Sequence, residues 1–301
     1  MENIIRISGL KKLYGSHEAV KGISFDVRKG DLFAFLGTNG AGKSTTINIL
    51  TCLLEKSEGE VYIDGLCLGK DDSKIKERIG VVFQNSTLDD ILTVSENLKI
   101  RASLYPGKKD DLKEKIKKAA QITGCEPFMD QRYGKLSGGQ KRRADIACAL
   151  IHEPKILFLD EPTTGLDPAT RLSIWTTISE MQKKLNMTVF LTTHYMEEAA
   201  EADDVVVISG GAIVEHDTPS NLKKKYTRDF IRIYDPGDDL IKELNEQNIS
   251  FTIDRQILMI PVKESKEAIR LLSQFSSFIE SFEVVRGNMD DVFISITESL
   301  R

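Results

Sequence analysis

The stretch Leu32–Thr45 constrains the fold of this chain more than any other part of the sequence. Its apolar first half, Leu32–Gly37, predicts a buried strand. This strand leads directly into GTNGAGKST, which has the G-x-x-x-x-G-K-[ST] spacing of a phosphate loop. Ser44–Leu53 is expected to form the helix that leaves the loop. A strand, a glycine-rich loop and a helix in this order predict an α/β fold that binds the phosphates of a nucleotide.

The residues of this loop suit different parts of a nucleotide. Glycines allow the backbone to curl until its amide N–H groups point at phosphate oxygens, and the following helix contributes its positive end. Lys43 is expected to reach the β- and γ-phosphates, the Ser44 hydroxyl to ligate Mg²⁺, and Thr45 to contact the α-phosphate. The loop residues predicted to bind the nucleotide are Gly37, Asn39, Gly40, Ala41, Gly42, Lys43, Ser44 and Thr45.

Two adjacent acids, Asp160 and Glu161, end a second apolar run, Ile156–Leu159. Phosphoryl transfer needs a carboxylate that holds Mg²⁺ and a group that orients or activates the attacking water. We expect Asp160 to take the first role and Glu161 the second. By themselves these acids could equally be solvated loop residues, and it is the phosphate loop upstream that favours the catalytic interpretation.

Three further features gain meaning only beside the phosphate loop. The segment Leu136–Gln140 reads LSGGQ and is expected to begin a helix shortly before the acidic strand. Gln84 follows the apolar run Val81–Phe83, and His194 follows Leu191-Thr192-Thr193 at the end of a predicted strand. In isolation the first would be a flexible helix start, a single glutamine would be a surface residue, and a lone histidine would be structural.

This combination resembles the ATP-binding subunit of an ABC transporter. The motifs that carry the resemblance are the phosphate loop, Leu136–Gln140, Asp160 with Glu161, Gln84, and His194. The resemblance covers roughly residues 4–225. It implies an α/β P-loop NTPase core of the ABC ATPase type, with an antiparallel β subdomain and a helical insertion.

The resemblance also implies roles for individual residues. In ABC proteins the segment corresponding to Ser137, Gly138, Gly139 and Gln140 binds the γ-phosphate of an ATP molecule that the opposite subunit holds. Gln84 would contact Mg²⁺ and the attacking water, and His194 would contact the γ-phosphate. Asp167 would bridge the two subunits near the site. Tyr14 resembles the aromatic residue that stacks on adenine, and Val20 would pack beneath the base.

Within the family, the chain looks like the daunorubicin-type drug and antibiotic exporters of the ABC-2 type. The supporting segments are Gln84–Asp89, Glu161–Pro168 and the C-terminal extension, although Gln140 stands where this subgroup frequently has methionine. The subgroup implies an ATP-hydrolysing subunit on the cytoplasmic face of the cell membrane. Two such subunits, in a homodimer around two ATP molecules, would drive separately encoded permease subunits that export a drug, an antibiotic or another small molecule.

Composition excludes several other classes of protein. A formal net charge of −5 lacks the basic footprint of a nucleic-acid partner. No apolar stretch approaches the roughly 18–20 residues that cross a bilayer, and the N-terminus does not resemble a signal peptide. The four cysteines are scattered, so neither a disulfide framework nor a zinc site is predicted. Transport would therefore require separate membrane-spanning chains.

The pattern along the chain predicts two domains. Residues 1–225 would form the nucleotide-binding domain, with a helical subdomain at about 85–149 that begins with a capping box at Thr93–Glu96. A polar, lysine-rich stretch from Pro219 to about Arg228 would join the domains. Residues 226–301 follow the order β-α-β-β-α-β, which predicts a small α+β, ferredoxin-like domain.

Three other kinds of ABC protein remain alternatives. Soluble ABC ATPases that act on ribosomes generally carry two ATP domains, whereas this chain has one phosphate loop. Chromosome and DNA-repair ATPases place a long coiled coil between the phosphate loop and the acidic strand, for which Lys43 and Asp160 are too close in sequence. A non-enzymatic, ATP-gated scaffold is disfavoured because Glu161, Gln84 and His194 are all present.

Overall fold

The computed structural model describes residues 2–105, 109–263 and 265–298. It divides the chain into two compact units, Met1–Thr218 and Pro219–Arg301. The division falls slightly before the boundary expected at residue 225. The lysine-rich stretch that was expected to join the domains forms a helix at Pro219–Tyr226 and belongs to the second unit.

The first unit begins with two strands of an antiparallel sheet, after which the chain enters a second sheet at the phosphate-loop strand. In chain order its elements are β1 (Asn3–Tyr14), β2 (His17–Arg28), β3 (Leu32–Gly37), α1 (Lys43–Leu50), β4 (Glu58–Ile63), β5 (Leu66–Cys67), α2 (Asp72–Arg78) and β6 (Ile79–Val82). The antiparallel sheet has the strand order β2-β1-β4-β5. It corresponds to the expected antiparallel β subdomain. Helix α2 is short and was not predicted.

The helical insertion and the remaining strands complete this unit. The helices are α3 (Val94–Ser103), α4 (Lys109–Thr123) and α5 (Gly138–Leu150), and the elements after them are β7 (Ile156–Asp160), α6 (Pro168–Leu185), β8 (Thr188–Thr193), α7 (Met196–Ala200), β9 (Asp204–Ser209) and β10 (Ala212–Asp217). The expected capping box is present, because Thr93 accepts from the Glu96 amide and the Glu96 carboxylate accepts from the Thr93 amide. Helix α7 was not predicted.

A second, six-stranded sheet has the order β10-β9-β3-β8-β7-β6. Its strands are parallel except β10, which pairs antiparallel with β9. Because the carboxyl ends of parallel strands meet at one edge, β3, β8, β7 and β6 deliver their following residues to the same place. The phosphate loop, His194, Glu161 and Gln84 follow these four strands in that order across the sheet.

The core of the first unit lies between the two sheets. Phe25 of β2 stacks on Phe33 of β3 with ring centroids 5.4 Å apart. Phe33 in turn stacks on Phe190 of β8 at 5.1 Å. All three rings are buried, and aromatic side chains bury large apolar areas that dominate core energetics. This packing fixes the parallel sheet that carries the phosphate loop.

The second unit is a small α+β structure built on one sheet. Its elements are α8 (Pro219–Tyr226), β11 (Asp229–Tyr234), α9 (Asp238–Glu246), β12 (Thr252–Asp254), β13 (Ile257–Val262), α10 (Ser265–Gln274), β14 (Phe282–Val285) and α11 (Met289–Glu298). The sheet is antiparallel with the order β12-β13-β11-β14. From β11 to β14 the elements follow the expected β-α-β-β-α-β order. The ferredoxin-like assignment stays a prediction.

Within the residues that the structure describes, no helix combines the length and the apolar character needed to span a membrane.

Candidate active site

The phosphate loop is held against its neighbours by close backbone packing. A Cβ at Gly37 would lie 2.5 Å from the Ile208 carbonyl oxygen, and one at Gly42 would lie 2.7 Å from the Ala19 carbonyl oxygen. Gly42 also has φ 106°, which side-chain-bearing residues rarely adopt. Glycine is therefore required at both positions by the surrounding backbone, while residues 38–40 at the tip of the loop are exposed.

Lys43 turns back over the loop that it follows. Its Nζ donates to the carbonyl oxygens of Gly37 at 2.8 Å and of Thr38 at 3.2 Å. The same atom lies 3.4 Å from Glu161 Oε1, and both side chains are nearly buried. The lysine predicted to bind phosphates and the glutamate predicted to act in catalysis are thus in direct contact.

Glu161 is the meeting point of the predicted catalytic residues. Gln84 Nε2 donates to its Oε2 at 3.4 Å, and Thr164 Oγ1 donates to the same oxygen at 3.1 Å. His194 Nδ1 lies 3.2 Å from Glu161 Oε2, outside hydrogen-bond geometry, and this nitrogen has no hydrogen-bond partner in the described ranges. The structure therefore brings Gln84 and His194 together around the Glu161 carboxylate.

The backbone of Glu161 has a strained conformation. Its φ is 45°, a left-handed conformation that is uncommon for a residue other than glycine. The Glu161 amide is held by Thr192 of β8, whose carbonyl and hydroxyl oxygens both accept from it at 3.1 Å. Such strain persists only where the surroundings fix it, and it concentrates at functional sites. The role of Thr192 was not predicted, although its position two residues before His194 was a signal.

Asp160 occupies the buried end of β7. Its Oδ1 accepts from Thr192 Oγ1 at 2.5 Å. Burial raises the pKa of this carboxyl and the neighbouring Glu161 raises it further, while hydrogen bonds from Thr192 and Ser44 and the charge of Lys43 lower it. Ser44 and Asp160, which were predicted to ligate one metal ion, are therefore adjacent. A cation beside this carboxyl would favour its charged form.

The segment Ser137–Gln140 belongs to a different cluster. Ser137 caps α5, with its hydroxyl accepting from the Gln140 amide at 3.3 Å and its amide donating to Gln140 Oε1 at 3.0 Å. A Cβ at Gly139 would lie 2.5 Å from Thr170 Cγ2. Asp167 Oδ1 accepts from the Thr170 amide at 3.0 Å and caps α6. Ser137 and Gly138 are exposed.

These two clusters are not joined within the chain. In the part of the chain that the structure describes, neither a hydrogen bond nor an ion pair links Ser137–Gln140 to the phosphate loop. The predicted residues that meet at Glu161 come from strand ends, whereas Ser137, Gly138, Gly139, Gln140 and Asp167 meet at two helix starts. One chain thus carries two separate halves of the predicted site.

The residues predicted to hold the base lie in the β1–β2 hairpin. Tyr14 is 49% exposed and pairs with His17 at the end of the hairpin. Lys12 Nζ lies 5.3 Å from the centre of its ring. Val20 is fully buried, and its Cγ2 would lie 3.7 Å from a Cβ at Gly42. The Tyr14 ring is therefore half-exposed beside the Lys12 ammonium group, and Val20 packs against the phosphate loop.

A buried charge network ties helix α5 to the backbone around Gln84. Arg142 Nη1 donates to the Phe83 carbonyl at 2.7 Å, and Arg142 Nη2 donates to the Gln84 carbonyl at 3.1 Å. Arg142 Nη1 also lies 3.8 Å from Asp145 Oδ2, and both side chains are at least nine-tenths buried. Asp145 Oδ1 accepts from Ser86 Oγ at 2.6 Å and from the hydroxyl of Tyr133 at 3.0 Å. Helix α5 is therefore hydrogen-bonded to the residues before and after Gln84.

We expect Arg142→Met to destabilise the first unit by about 3–5 kcal/mol, because the buried Asp145 would lose its only positively charged neighbour in the network and keep just the hydroxyls of Ser86 and Tyr133. Urea unfolding followed by circular dichroism measures this change. Asp145→Asn and the double variant complete a double-mutant cycle. The double variant should cost less than the sum of the single variants, and an additive cost would show that Arg142 and Asp145 do not act as a pair.

The fold and the site define a phosphate-loop nucleotide-binding protein of the ATPase-cassette class, in which neither a hydrogen bond nor an ion pair joins the phosphate loop to the LSGGQ segment within the described residues. A family model described as ABC transporter matches residues 20–164. Linearmycin resistance ATP-binding protein LnrL from Bacillus subtilis is 36% identical, over 76% of this chain and 73% of LnrL. Doxorubicin resistance ATP-binding protein DrrA from Mycobacterium tuberculosis is 31% identical, over 97% of this chain and 92% of DrrA.

Some relatives are considerably longer than this chain. The probable multidrug ABC transporter ATP-binding protein YbhF from Escherichia coli is 36% identical over 76% of this chain, but the match spans only 39% of YbhF. Among solved structures, cbiO1 from Clostridium perfringens, part of the ABC transporter complex cbiONQ, has a TM-score of 0.70 and 29% identity, over 82% of this chain and 96% of cbiO1. The dimeric ATP-binding cassette MJ0796 bound to ADP and Pi has a TM-score of 0.65 and 28% identity, over 71% of this chain and 98% of MJ0796.

This chain therefore belongs to the family of ABC transporter ATP-binding proteins. The expected class of fold, an ABC ATPase core of the P-loop type, is confirmed.

Proposed function

We propose that this chain hydrolyses ATP as one subunit of an exporter, in a dimer that binds two ATP molecules between its protomers. The observation that carries this proposal is the cluster of Lys43, Gln84, Glu161 and His194 at one end of the parallel sheet. Resistance proteins such as LnrL and DrrA bear names that associate them with antibiotics. By analogy, the exported molecule would be a drug, an antibiotic or another small molecule.

The chain's own residues divide the work of ATP hydrolysis. Amide groups of the phosphate loop bind phosphate oxygens, and Lys43 exchanges its contacts with Gly37, Thr38 and Glu161 for the β- and γ-phosphates. Glu161 orients and deprotonates the attacking water, while Gln84 and His194 hold that water and the γ-phosphate from either side. These are positioning and electrostatic tasks, which dominate phosphoryl transfer.

The residues present fit a magnesium ion. Asp160 is a buried carboxylate beside the Ser44 hydroxyl. Gln84 donates a hydrogen bond to Glu161, the residue that follows Asp160. Magnesium usually takes few protein ligands and completes its shell with waters and substrate phosphates. When bound, the ion would neutralise charge that develops on the phosphates.

The second half of the site would come from another copy of the chain. Ser137 and Gly138 are exposed at the start of α5, where a helix end with free amide groups favours an anion. Because nothing joins this segment to the chain's own phosphate loop in the described ranges, we infer that it binds the γ-phosphate of the partner's ATP. MJ0796, whose fold is similar, forms a dimer.

The membrane partner would dock near residues 85–97, between the sheets and the helical insertion. Ile91 is 74% exposed in this segment, and Arg142 and Asp145 connect the segment's start to α5. ATP would favour the closed dimer through its higher affinity for that state, and closure would move α5, the Gln84 segment and the docked permease together. In this arrangement the chain would be a peripheral subunit at the cytoplasmic face of the membrane.

Affinity purification of tagged Glu161→Gln protein from native membranes, with ATP and Mg²⁺, tests this proposal. We expect a separately encoded polytopic membrane protein to co-purify, and to do so less without ATP. Lys43→Ala protein, prepared in parallel at an ATP concentration too low for its weakened binding, is the matched control. Recovery of a soluble dimer alone, under detergent conditions shown to preserve membrane complexes, would favour a soluble ABC-type mechanochemical ATPase.

A further inference from the structure

Two segments at the edge of the parallel sheet carry proposed catalytic residues. Residues 161–167 follow β7 and begin with Glu161, and residues 194–200 follow β8 and comprise His194 and helix α7. Backbone pairing of β7 with β8 ends just before these segments. In the described part of the chain, no backbone hydrogen bond joins the two segments directly. Their relative position therefore depends on side-chain contacts.

A buried hydrogen bond between Thr163 and Glu198 supplies such a contact. The Thr163 hydroxyl donates to Glu198 Oε1. Thr163 is 1% exposed and Glu198 is 4% exposed, so the bond lies away from water, where hydrogen bonds are electrostatically stronger. Thr163 comes two residues after Glu161, and Glu198 comes four residues after His194.

The turn that carries Thr163 also orients Glu161. The Thr164 amide donates to the Glu161 carbonyl at 3.3 Å, and Thr164 Oγ1 donates to Glu161 Oε2 at 3.1 Å. The Thr163 carbonyl accepts from the Leu166 amide at 3.1 Å. A displacement of Thr163 would therefore move the turn that holds the Glu161 carboxylate.

Helix α7 connects the other end of the bond to His194. The Tyr195 amide donates to Thr193 Oγ1 at 2.9 Å, and the Tyr195 carbonyl accepts from the Ala199 amide at 3.4 Å. The rings of His194 and Tyr195 have centroids 4.2 Å apart. The His194 ring thus packs on the first residues of the helix that carries Glu198.

The environment of Glu198 is unfavourable for a purely structural residue. Its Oε2 is buried and has no hydrogen-bond partner among the residues that the structure describes. Burial raises the pKa of this carboxyl, while the hydroxyls of Thr163 and Thr193 and the charges of Arg171 and His194 lower it. A half-satisfied buried carboxyl costs stability relative to an apolar pair of the same shape. Such costs are expected at functional sites.

We propose that Glu198 is a positioning residue for ATP hydrolysis, which holds the His194 segment against the Glu161 turn through its hydrogen bond with Thr163. The inference rests on the proposed ATPase function, because it assigns Glu198 a role in the same site. Without the bond, Glu161 and His194 would keep their chemistry but lose their mutual placement. Misplacement of reacting groups by about 1 Å can cost about 100-fold in rate.

A double-mutant cycle of Thr163→Val and Glu198→Met separates positioning from stability. Each single variant leaves one buried polar group without its partner and should be less stable, whereas the double variant removes both groups and should regain stability. Its kcat should nevertheless stay about 10–100-fold below that of the unmodified protein, with the KM for ATP changed by less than about threefold. ATP hydrolysis and urea unfolding are measured on all four proteins.

Two further variants are matched controls. Thr163→Ser keeps the hydroxyl and should retain most of the kcat that Thr163→Val loses. Thr123→Val removes another fully buried hydroxyl, which donates to the Ala119 carbonyl within helix α4 at 2.8 Å. This variant should lose stability but keep its kcat and KM.

The carbon-13 signal of the His194 ring reports the placement of this side chain without nucleotide. The chain has four histidines, and His194→Gln assigns the signal. We expect the signal to shift in Thr163→Val and in the double variant. It should stay in place in Thr163→Ser and in Thr123→Val.

Three results would overturn the proposal: an unchanged kcat in folded Thr163→Val, a double variant whose kcat recovers together with its stability, or an unmoved His194 signal in Thr163→Val. Absence of ATP hydrolysis by the unmodified protein would instead overturn the proposed function. The His194 signal, measured without nucleotide, would still decide whether the bond between Thr163 and Glu198 positions this side chain.

Discussion

Glu161→Gln is expected to lower the turnover number of ATP hydrolysis by about 10²–10⁴-fold, the usual contribution of a general base. Glutamine has nearly the shape of glutamate, so the contact with Thr164 can persist while the carboxylate that takes the proton is lost. ATP binding should remain, because Lys43 and the phosphate loop are unchanged. The variant should therefore accumulate as an ATP-bound dimer.

Three measurements on Glu161→Gln separate these effects. Phosphate release gives the turnover number, a fluorescent ATP analogue gives the affinity, and sedimentation velocity gives the dimer fraction. Glu197→Gln is the matched control, since this glutamate is 78% exposed and lies on α7. Turnover at the level of the unmodified protein would contradict the role assigned to Glu161.

Lys43→Ala is expected to weaken ATP binding by about 10–100-fold and to abolish measurable hydrolysis. Its side chain is 4% exposed, with Nζ on the loop carbonyls and Glu161, so it is positioned before the nucleotide arrives. Each charge-assisted hydrogen bond contributes about 1.5–3 kcal/mol, and about 1.4 kcal/mol corresponds to a tenfold change in affinity. Isothermal calorimetry with ATP and Mg²⁺ measures the loss.

Lys21→Ala removes the same charge from the neighbouring strand β2, at an exposed position, and serves as the control for general electrostatic attraction. It should change ATP affinity by less than about threefold, since exposed charges are screened. Equal losses in the two variants would mean that Lys43 attracts the nucleotide only through its charge. Retained affinity in Lys43→Ala would exclude its contact with the phosphates.

Much of this arrangement follows from the sequence because apolar strands end where polar residues begin. The run Ile156–Leu159 predicts a strand that delivers Asp160 and Glu161 to the sheet edge, and Leu32–Gly37 does the same for the phosphate loop. Parallel pairing of the strands then brings these strand ends together, independently of the conformation of the loops between them. The capping boxes at Thr93 and Ser137 are equally local, since each depends on the N-cap residue and the residue three positions later.

Features that depend on packing could not be predicted from pattern alone. Helix α7 has five residues, too few to show a helical period, and the lysine-rich α8 lacks a broad apolar face. The sequence leaves three interpretations of Arg142 and Arg143 open: contact with a partner, contact with carboxylates of the helical subdomain, or a solvated basic face. The structure shows Arg142 buried, beside Asp145 and on two backbone carbonyls.

The strained conformation of Glu161 is another feature that only the fold reveals. Its φ is 45°, and its amide donates to Thr192 across the pairing of β7 with β8. A sequence pattern gives the order of Asp160 and Glu161 but not the direction in which either carboxylate points. The convergence of Gln84, His194 and Lys43 on one glutamate therefore required the tertiary structure.

The central claim is that each ATP site is completed by a second copy of the chain, and mixing two inactive variants tests it most directly. Lys43→Ala disables the phosphate loop, and Ser137→Glu repels the γ-phosphate from the other half. A mixed dimer would contain one fully disabled site and one intact site. An equimolar mixture should therefore recover up to about a quarter of the unmodified ATPase activity, although neither variant is active alone.

The matched control mixes Lys43→Ala with Glu161→Gln, whose changes lie in the same half of the site. This mixture has no intact site in any dimer and should stay inactive. Recovery in the first mixture alone is the result we predict. An ATPase activity equal to the sum of the two separate variants in both mixtures would contradict a site shared between two chains.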